Sequence, residues 1–94
     1  MNRDDQRGVM WAKRRVELGK RIRELRQQCG LSQEALALES GVSRNMLIQV
    51  EWGQRGILTE RLGDIAAVLG VNACDLLDDD FQISEKLDVS TDPA

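Results

Sequence analysis

The stretch SQEALALESGVSRNMLIQVEWGQRG, residues 32–56, has the pattern of two short helices joined by a tight turn. Ser32 and Ser43 are of the residue type that caps a helix N-terminus. Gly41 lies where the first helix must end and the chain must reverse, a position that favours a positive φ. The second helix of the pair is predicted at about residues 43–52. The residues expected to form the core shared by the two helices are Leu36, Ala37, Val42, Leu47 and Val50.

Apolar periodicity and capping residues predict three more helices around this pair. In the first helix, Leu18, Ile22, Leu25 and Cys29 recur at i, i+4, i+7 and i+11 before Gly30. This pattern can extend back through Val16 and Trp11. The fourth helix is predicted to start at a Thr59 cap and to close at Gly70, and the fifth to start at an Asn72 cap. The fourth helix has Leu62, Ile65, Ala66 and Leu69 on one face, and the fifth carries Leu76 and Leu77. The fold class is therefore all-α.

Charge divides the 94-residue chain into a near-neutral part and an acidic tail. Residues 1–77 carry 12 Lys and Arg against 10 Asp and Glu, a net charge of +2. Residues 78–94 carry Lys86 against six acids, which is -5 and brings the whole chain to -3. We therefore expect an N-terminal extension over residues 1–13, one domain over residues 14–77, and a disordered or loosely docked acidic tail over residues 78–94. Seven cations over residues 13–26 form a stripe able to meet phosphates, although such a stripe can equally be a solvated helix face.

Residue types exclude most catalytic chemistry. The chain has no His and no Tyr, so its serines and carboxylates lack the usual partner for a nucleophile–base pair. Cys29 and Cys74 are far apart, which suggests neither a metal site nor a disulfide, and both thiols are expected to be buried or half-buried. A redox switch at either Cys would need an exposed thiolate. We predict a non-enzyme without metal or cofactor.

No targeting or membrane segment is expected from the sequence. Residues 1–5 lack the apolar run of a signal peptide, and residues 65–69, the longest apolar stretch, are too few to span a bilayer. These features favour a cytoplasmic protein with no membrane association.

Several spaced features coincide with those of one known family. They are Arg26 near the end of the first helix, Leu-Ser-Gln at residues 31–33, Ser-Gly-Val-Ser at residues 40–43, and Val-Glu-x-Gly at residues 50–53. Together they resemble the Cro/C1-type (Xre) helix-turn-helix family of phage repressors and restriction-modification controller proteins, from about Leu18 to Leu77. The resemblance implies a compact five-helix bundle like that of lambda repressor.

The resemblance also implies a structural ion pair. Glu51 is predicted at the C-terminal end of the third helix, where the helix dipole disfavours an anion, so a compensating cation is expected. Family members place an Arg and a Glu at the positions of Arg26 and Glu51 as a largely buried pair, which ties the first helix to the third.

The resemblance further implies that residues of the motif that point away from the core bind DNA. The positions of Arg44, Asn45 and Gln49 are those that reach base edges in the family, and Arg can pair with guanine while Asn and Gln pair with adenine. Met46 either contacts thymine methyls or packs against the fold. The residues expected to contact phosphates are Gln33, Ser43, Gln54 and Arg55.

These assignments predict a sequence-specific transcriptional regulator that binds a palindromic or pseudopalindromic duplex operator as a homodimer. The dimer interface is expected at the Ile57–Leu58 loop and the fifth helix. Ile57 and Leu58 stand where the family commonly has a Pro-Ser pair, and Leu38 and Trp52 also depart from the family pattern. Leu38, Ile57 and Leu58 together suggest extra buried or interfacial surface, or are equally well chance apolar residues at the surface. The alternative function is a protein-interaction module, such as the antitoxin of a toxin–antitoxin pair, whose acidic tail folds on a protein partner.

Overall fold

Helices account for most of residues 3–77, which are the residues described by the computed structural model. Within that range the chain forms five α-helices and no strand. They are α1 (Arg3–Gln28), α2 (Gln33–Ser40), α3 (Arg44–Glu51), α4 (Thr59–Leu69) and α5 (Ala73–Leu77). The prediction of an all-α five-helix bundle is confirmed. The predicted acidic tail, residues 78–94, lies outside the described residues.

The core is aliphatic and lies where α1 packs against α3 and α5, and where α4 packs against α2 and α5. Ile22 from α1, Leu36 from α2, Leu47 from α3 and Ile65 from α4 are fully buried. Each such side chain stabilises the fold by about 1.5–3 kcal/mol relative to an exposed one. The core predicted for the helix pair is present, with Val42 partly buried against it.

Capping and turn chemistry agree with the sequence at the two helices that form the motif. The Ser32 hydroxyl accepts a hydrogen bond from the Ala35 N–H at 3.0 Å, and the Ser43 hydroxyl accepts one from the Met46 N–H at 3.0 Å. Gly41 adopts the left-handed conformation at φ 77°, and its N–H donates to the carbonyl of Ala37. The chain therefore reverses within the three residues that separate α2 from α3.

The start of α4 differs from the prediction. Thr59 is already the first residue of the helix, and the cap position belongs to Leu58, which has no side-chain oxygen to offer. The prediction that Thr59 caps α4 was wrong by one residue. Asn72 does immediately precede α5, and its backbone N–H donates to the Asp75 carboxylate at 3.3 Å.

Both thiols are exposed, which contradicts the expectation of buried or half-buried cysteines. Cys29 directly follows the last residue of α1, Gln28, and although its Sγ donates to the Leu69 carbonyl at 3.9 Å, the residue remains exposed. On the short α5, Leu76 supplies the buried side chain while Cys74 faces outward.

Helix α1 extends well beyond the segment of it that packs in the core. Its 26 residues correspond to about 39 Å at 1.5 Å per residue, and residues 6–14 are all exposed. The residues expected to form an N-terminal extension therefore continue the first helix from Arg3 and project beyond the core. No helix within residues 3–77 is long and apolar enough to cross a membrane.

Candidate nucleic-acid interface

The outer face of α3 is available for binding because the inner face is fixed in the core. Leu47 and Val50 are buried at 0% and 1% exposure. Arg44 and Asn45 are exposed, and Gln49 is half-buried. At 100° per residue Asn45 and Gln49 project from the side of α3 opposite Leu47 and Val50, and Arg44 lies at the edge of that side, about 60° around the helix from Leu47. The three predicted base-reading side chains therefore all lie outside the face that Leu47 and Val50 bury.

Two predicted contact residues from different elements meet beside this face. The Arg55 guanidinium, in the loop after α3, donates to the Gln49 side-chain oxygen at 3.3 Å. The backbone N–H of Gln54 donates to the Gln49 carbonyl at 2.9 Å, which holds the loop against the end of the helix. The side chains of Gln54 and Arg55 are exposed. The loop thus extends the polar face of α3 with one cation and one amide.

Ser43 and Met46 are already engaged within the fold. The Ser43 hydroxyl oxygen caps α3, although its proton can still be donated outward. Met46 is half-buried and packs against the core. The fold therefore gives Met46 the packing position that the sequence left open as one of two alternatives.

The carboxylate of Glu51 lies at the centre of a hydrogen-bonded cluster under the motif. Its side chain is 0% exposed, and the Arg26 side chain is 11% exposed. Arg26 Nε donates to Glu51 Oε2 at 2.8 Å, and Arg26 Nη2 donates to Glu51 Oε1 at 3.1 Å. Arg26 Nη1 donates to the Leu31 carbonyl at 3.0 Å. The bidentate pair joins α1 to the end of α3. The bond to Leu31 joins α1 to the short loop that precedes α2.

Gln33 belongs to the same cluster. Its Nε2 donates to Glu51 Oε1 at 3.0 Å, so the amide points toward the buried carboxylate. Within residues 3–77, no buried side-chain nitrogen or oxygen lacks a hydrogen-bond partner. The residue predicted to touch phosphate therefore already has a structural contact, which orients α2 relative to α3.

Comparison with known proteins agrees with this geometry. Residues 22–76 match the helix-turn-helix family, which is more than half of the chain. The chain belongs to the Xre-type helix-turn-helix family. Its fold is the DNA-binding fold of transcriptional regulators.

Similar Xre-type proteins include controllers of restriction-modification systems. The control protein C.BamHI of Bacillus amyloliquefaciens is 34% identical over 65 residues, which are 68% of this chain and 80% of that protein. The restriction-modification controller protein C.AhdI from Aeromonas hydrophila has 40% identity and a TM-score of 0.64, over 66% of this chain and 94% of that chain. The clp gene regulator ClgR from Corynebacterium glutamicum has 31% identity and a TM-score of 0.65, over 68% of each chain.

Two contacts that stabilise this Xre-type domain were not foreseen from the sequence. A Cβ on Gly19 would lie 2.3 Å from the Val50 carbonyl oxygen, because α1 and α3 approach each other closely there. Arg23 donates from Nη1 to the Glu51 carbonyl at 3.2 Å and stacks 5.0 Å above the Trp52 ring. A glycine inside a helical pattern signals close packing, and Arg23 is three residues before Arg26 on α1. The sequence shows the glycine and the spacing of the two arginines, but it does not show which residues they contact.

The side-chain groupings that metal sites require are absent from the described residues. Over residues 3–77 no three His, Cys, Asp or Glu side chains are grouped so that they could hold a metal ion.

Proposed function

We propose that this protein is a regulator that recognises a specific duplex DNA sequence through the outer face of α3. The observation that carries the proposal is the outer surface of α3, where Arg44 and Asn45 are exposed and Gln49 is half-buried, while Leu47 and Val50 are fixed in the core. A helix of this width fits the major groove, where Arg can form two hydrogen bonds with guanine and Asn or Gln can form two with adenine.

In this proposal the surrounding polar groups position the domain on the DNA backbone. Arg55 supplies a cation, and Ser43 and Gln54 supply donors that require no particular base. Gln33 can contact a phosphate in two ways. It can use the amide N–H that Glu51 does not accept, or it can exchange its hydrogen bond to Glu51 for one to the phosphate. The overall charge of -3 comes from residues 78–94, and residues 1–77, which contain the proposed interface, carry +2.

The test compares Arg44→Ala and Gln49→Ala with Arg55→Ala. A cognate site is first selected from a pool of random duplexes, and affinities for cognate and scrambled duplexes are measured at one salt concentration. Each base-reading variant should lose about 1–3 kcal/mol on the cognate site and much less on scrambled DNA. Arg55→Ala should weaken binding to both duplexes and lower the slope of log affinity against log salt by about 1.

Equal losses on cognate and scrambled DNA for Arg44→Ala and Gln49→Ala would show that α3 is not the reader. Circular dichroism confirms that each variant is folded. Absence of any salt-dependent binding to duplex DNA would favour the interaction-module alternative instead.

We propose further that two copies bind the operator together, on half-sites about 34 Å apart. Leu58 supports this proposal because its side chain is 70% exposed in the loop expected to form the interface. Leu58→Asp should dissociate the dimer, since it replaces apolar contact surface with charge. The same substitution places a capping carboxylate at the N-terminus of α4, so the fold should not weaken. Sedimentation with and without palindromic DNA measures the mass, and an unsubstituted chain that stays monomeric in both conditions contradicts the dimer.

A further inference from the structure

A groove of about 480 Å³ lies between the projecting half of α1 and the α4–α5 side of the domain. Its apolar wall includes Trp11, Ile57, Leu62 and Leu77. The Trp11 side chain remains 55% exposed and that of Leu77 54% exposed, so part of this wall faces solvent. A tryptophan and a leucine brought together at one groove can bury substantial apolar area against an occupant.

The charge of the groove has one sign. Arg14, Arg15 and Arg21 line it, and none of the described residues along its walls is acidic. Arg21 donates from Nη1 to the Leu76 carbonyl at 2.9 Å, which fixes this positive charge beside α5. The groove therefore suits a segment that combines apolar side chains with carboxylates.

The chain itself contains such a segment directly after the groove wall. Residues 78–94 follow Leu77 and carry six acids against one Lys. Phe81, Ile83 and Leu87 are interleaved with these acids. Phe81 is four residues after Leu77, a distance of about 13 Å for extended chain, and Leu77 itself lines the groove.

We infer that residues 78–94 dock in this groove of their own chain, with Phe81 against Trp11 and the flanking acids beside the arginines. Covalent linkage gives the segment an effective concentration on the order of millimolar, so even a weak association is populated. The carboxylates oppose the charge of the groove, so the docked form is weakened by salt. This inference does not depend on the proposed mode of DNA reading.

The fluorescence of Trp11 can report whether the groove is occupied. The chain has two tryptophans, and Trp52→Phe leaves Trp11 as the only one in an otherwise full-length chain. In that background, Phe81→Ala should increase quenching of Trp11 by acrylamide and shift its emission to longer wavelength. Val89→Ala removes an apolar side chain eight residues further along that is not placed against Trp11, so it should change neither quantity. Added salt should raise the quenching of the parent chain toward that of Phe81→Ala.

Two kinds of result would overturn the inference. One is identical quenching of the parent chain and Phe81→Ala, or an equal effect from Val89→Ala. The other is protection of Trp11 that disappears on dilution or in the Leu58→Asp chain, because the occupant would then be a second copy. Docking by the same chain predicts protection that is independent of concentration, and circular dichroism checks that every variant retains its helices.

Discussion

Glu51 shows how much of this fold depends on one charged residue. A carboxylate with 0% exposure at the end of a helix is costly unless its oxygens are satisfied. Here Arg26 donates to both oxygens, Gln33 donates to Oε1, and the Arg23 guanidinium donates to the backbone carbonyl of the same residue. The cluster joins three helices directly beneath the face proposed to read DNA, so loss of one partner should impair folding and DNA binding together.

We predict that Arg26→Ala or Glu51→Ala destabilises the domain by about 3 kcal/mol, because the surviving partner becomes an uncompensated buried charge. Arg61→Ala is the control. It removes a cation from the Arg61–Asp64 pair, which is 3.5 Å apart with side chains 51% and 50% exposed, and it should change stability by less than about 1 kcal/mol. Thermal unfolding measures each effect, and an unchanged melting temperature in either cluster variant would refute the structural role.

At the scale of elements, the contact between α1 and α3 sets the orientation of α3, the helix proposed to read DNA. Gly19 makes this contact possible, since any Cβ would lie within 2.3–2.8 Å of the backbone of Val50 and Glu51. Backbone atoms cannot move aside as the end of a flexible side chain can. A larger residue must therefore push the two helices apart.

We predict that Gly19→Ala destabilises the fold by about 1–3 kcal/mol, the usual effect of overpacking, although alanine favours helix. Gly63→Ala is the matched control inside α4, where a Cβ would meet nothing within 4 Å. The control should gain up to about 1 kcal/mol from helix propensity alone. Urea unfolding of both variants gives the comparison, and a Gly19→Ala protein as stable as Gly63→Ala would show that the helices adjust without cost.

Over the whole molecule, the distribution of charge matters more than its sum. The +2 of residues 1–77 and the -5 of residues 78–94 act in opposite directions on a DNA backbone. A segment that is attracted to the arginines of the α1 groove also repels phosphate. The tail should therefore restrain nonspecific binding.

We predict that deletion of residues 78–94 leaves the helical core folded and tightens binding to random duplex DNA at low salt. The difference should shrink as salt is added, because screening weakens the repulsion. A full-length variant with the six acids replaced by Asn or Gln separates charge from chain length and should behave like the deletion. Fluorescence anisotropy at several salt concentrations measures the affinities. Weaker binding or unfolding of the truncated chain would show that the tail stabilises the domain.

The sequence by itself determined the helices of the motif, because their signals are local. Periodic apolar residues, serine caps and Gly41 act within one or two turns of chain, and α2 and α3 lie where these signals place them. The cap of α4 was misassigned because Thr59 and Leu58 are adjacent and only backbone geometry shows which residue precedes the helix. The residue types on α3 likewise predict hydrogen bonds to DNA bases from the sequence alone.

Only the tertiary structure decided how these helices meet and which polar side chains turn inward. Gln33 bonds to Glu51 across 18 residues and Arg23 reaches the Glu51 carbonyl across 28, distances over which local pattern carries no information. The close approach at Gly19 and the half-buried position of Met46 also depend on the packing angle of α3. That angle results from the whole buried surface, so it is a property of the assembled core and not of any one segment.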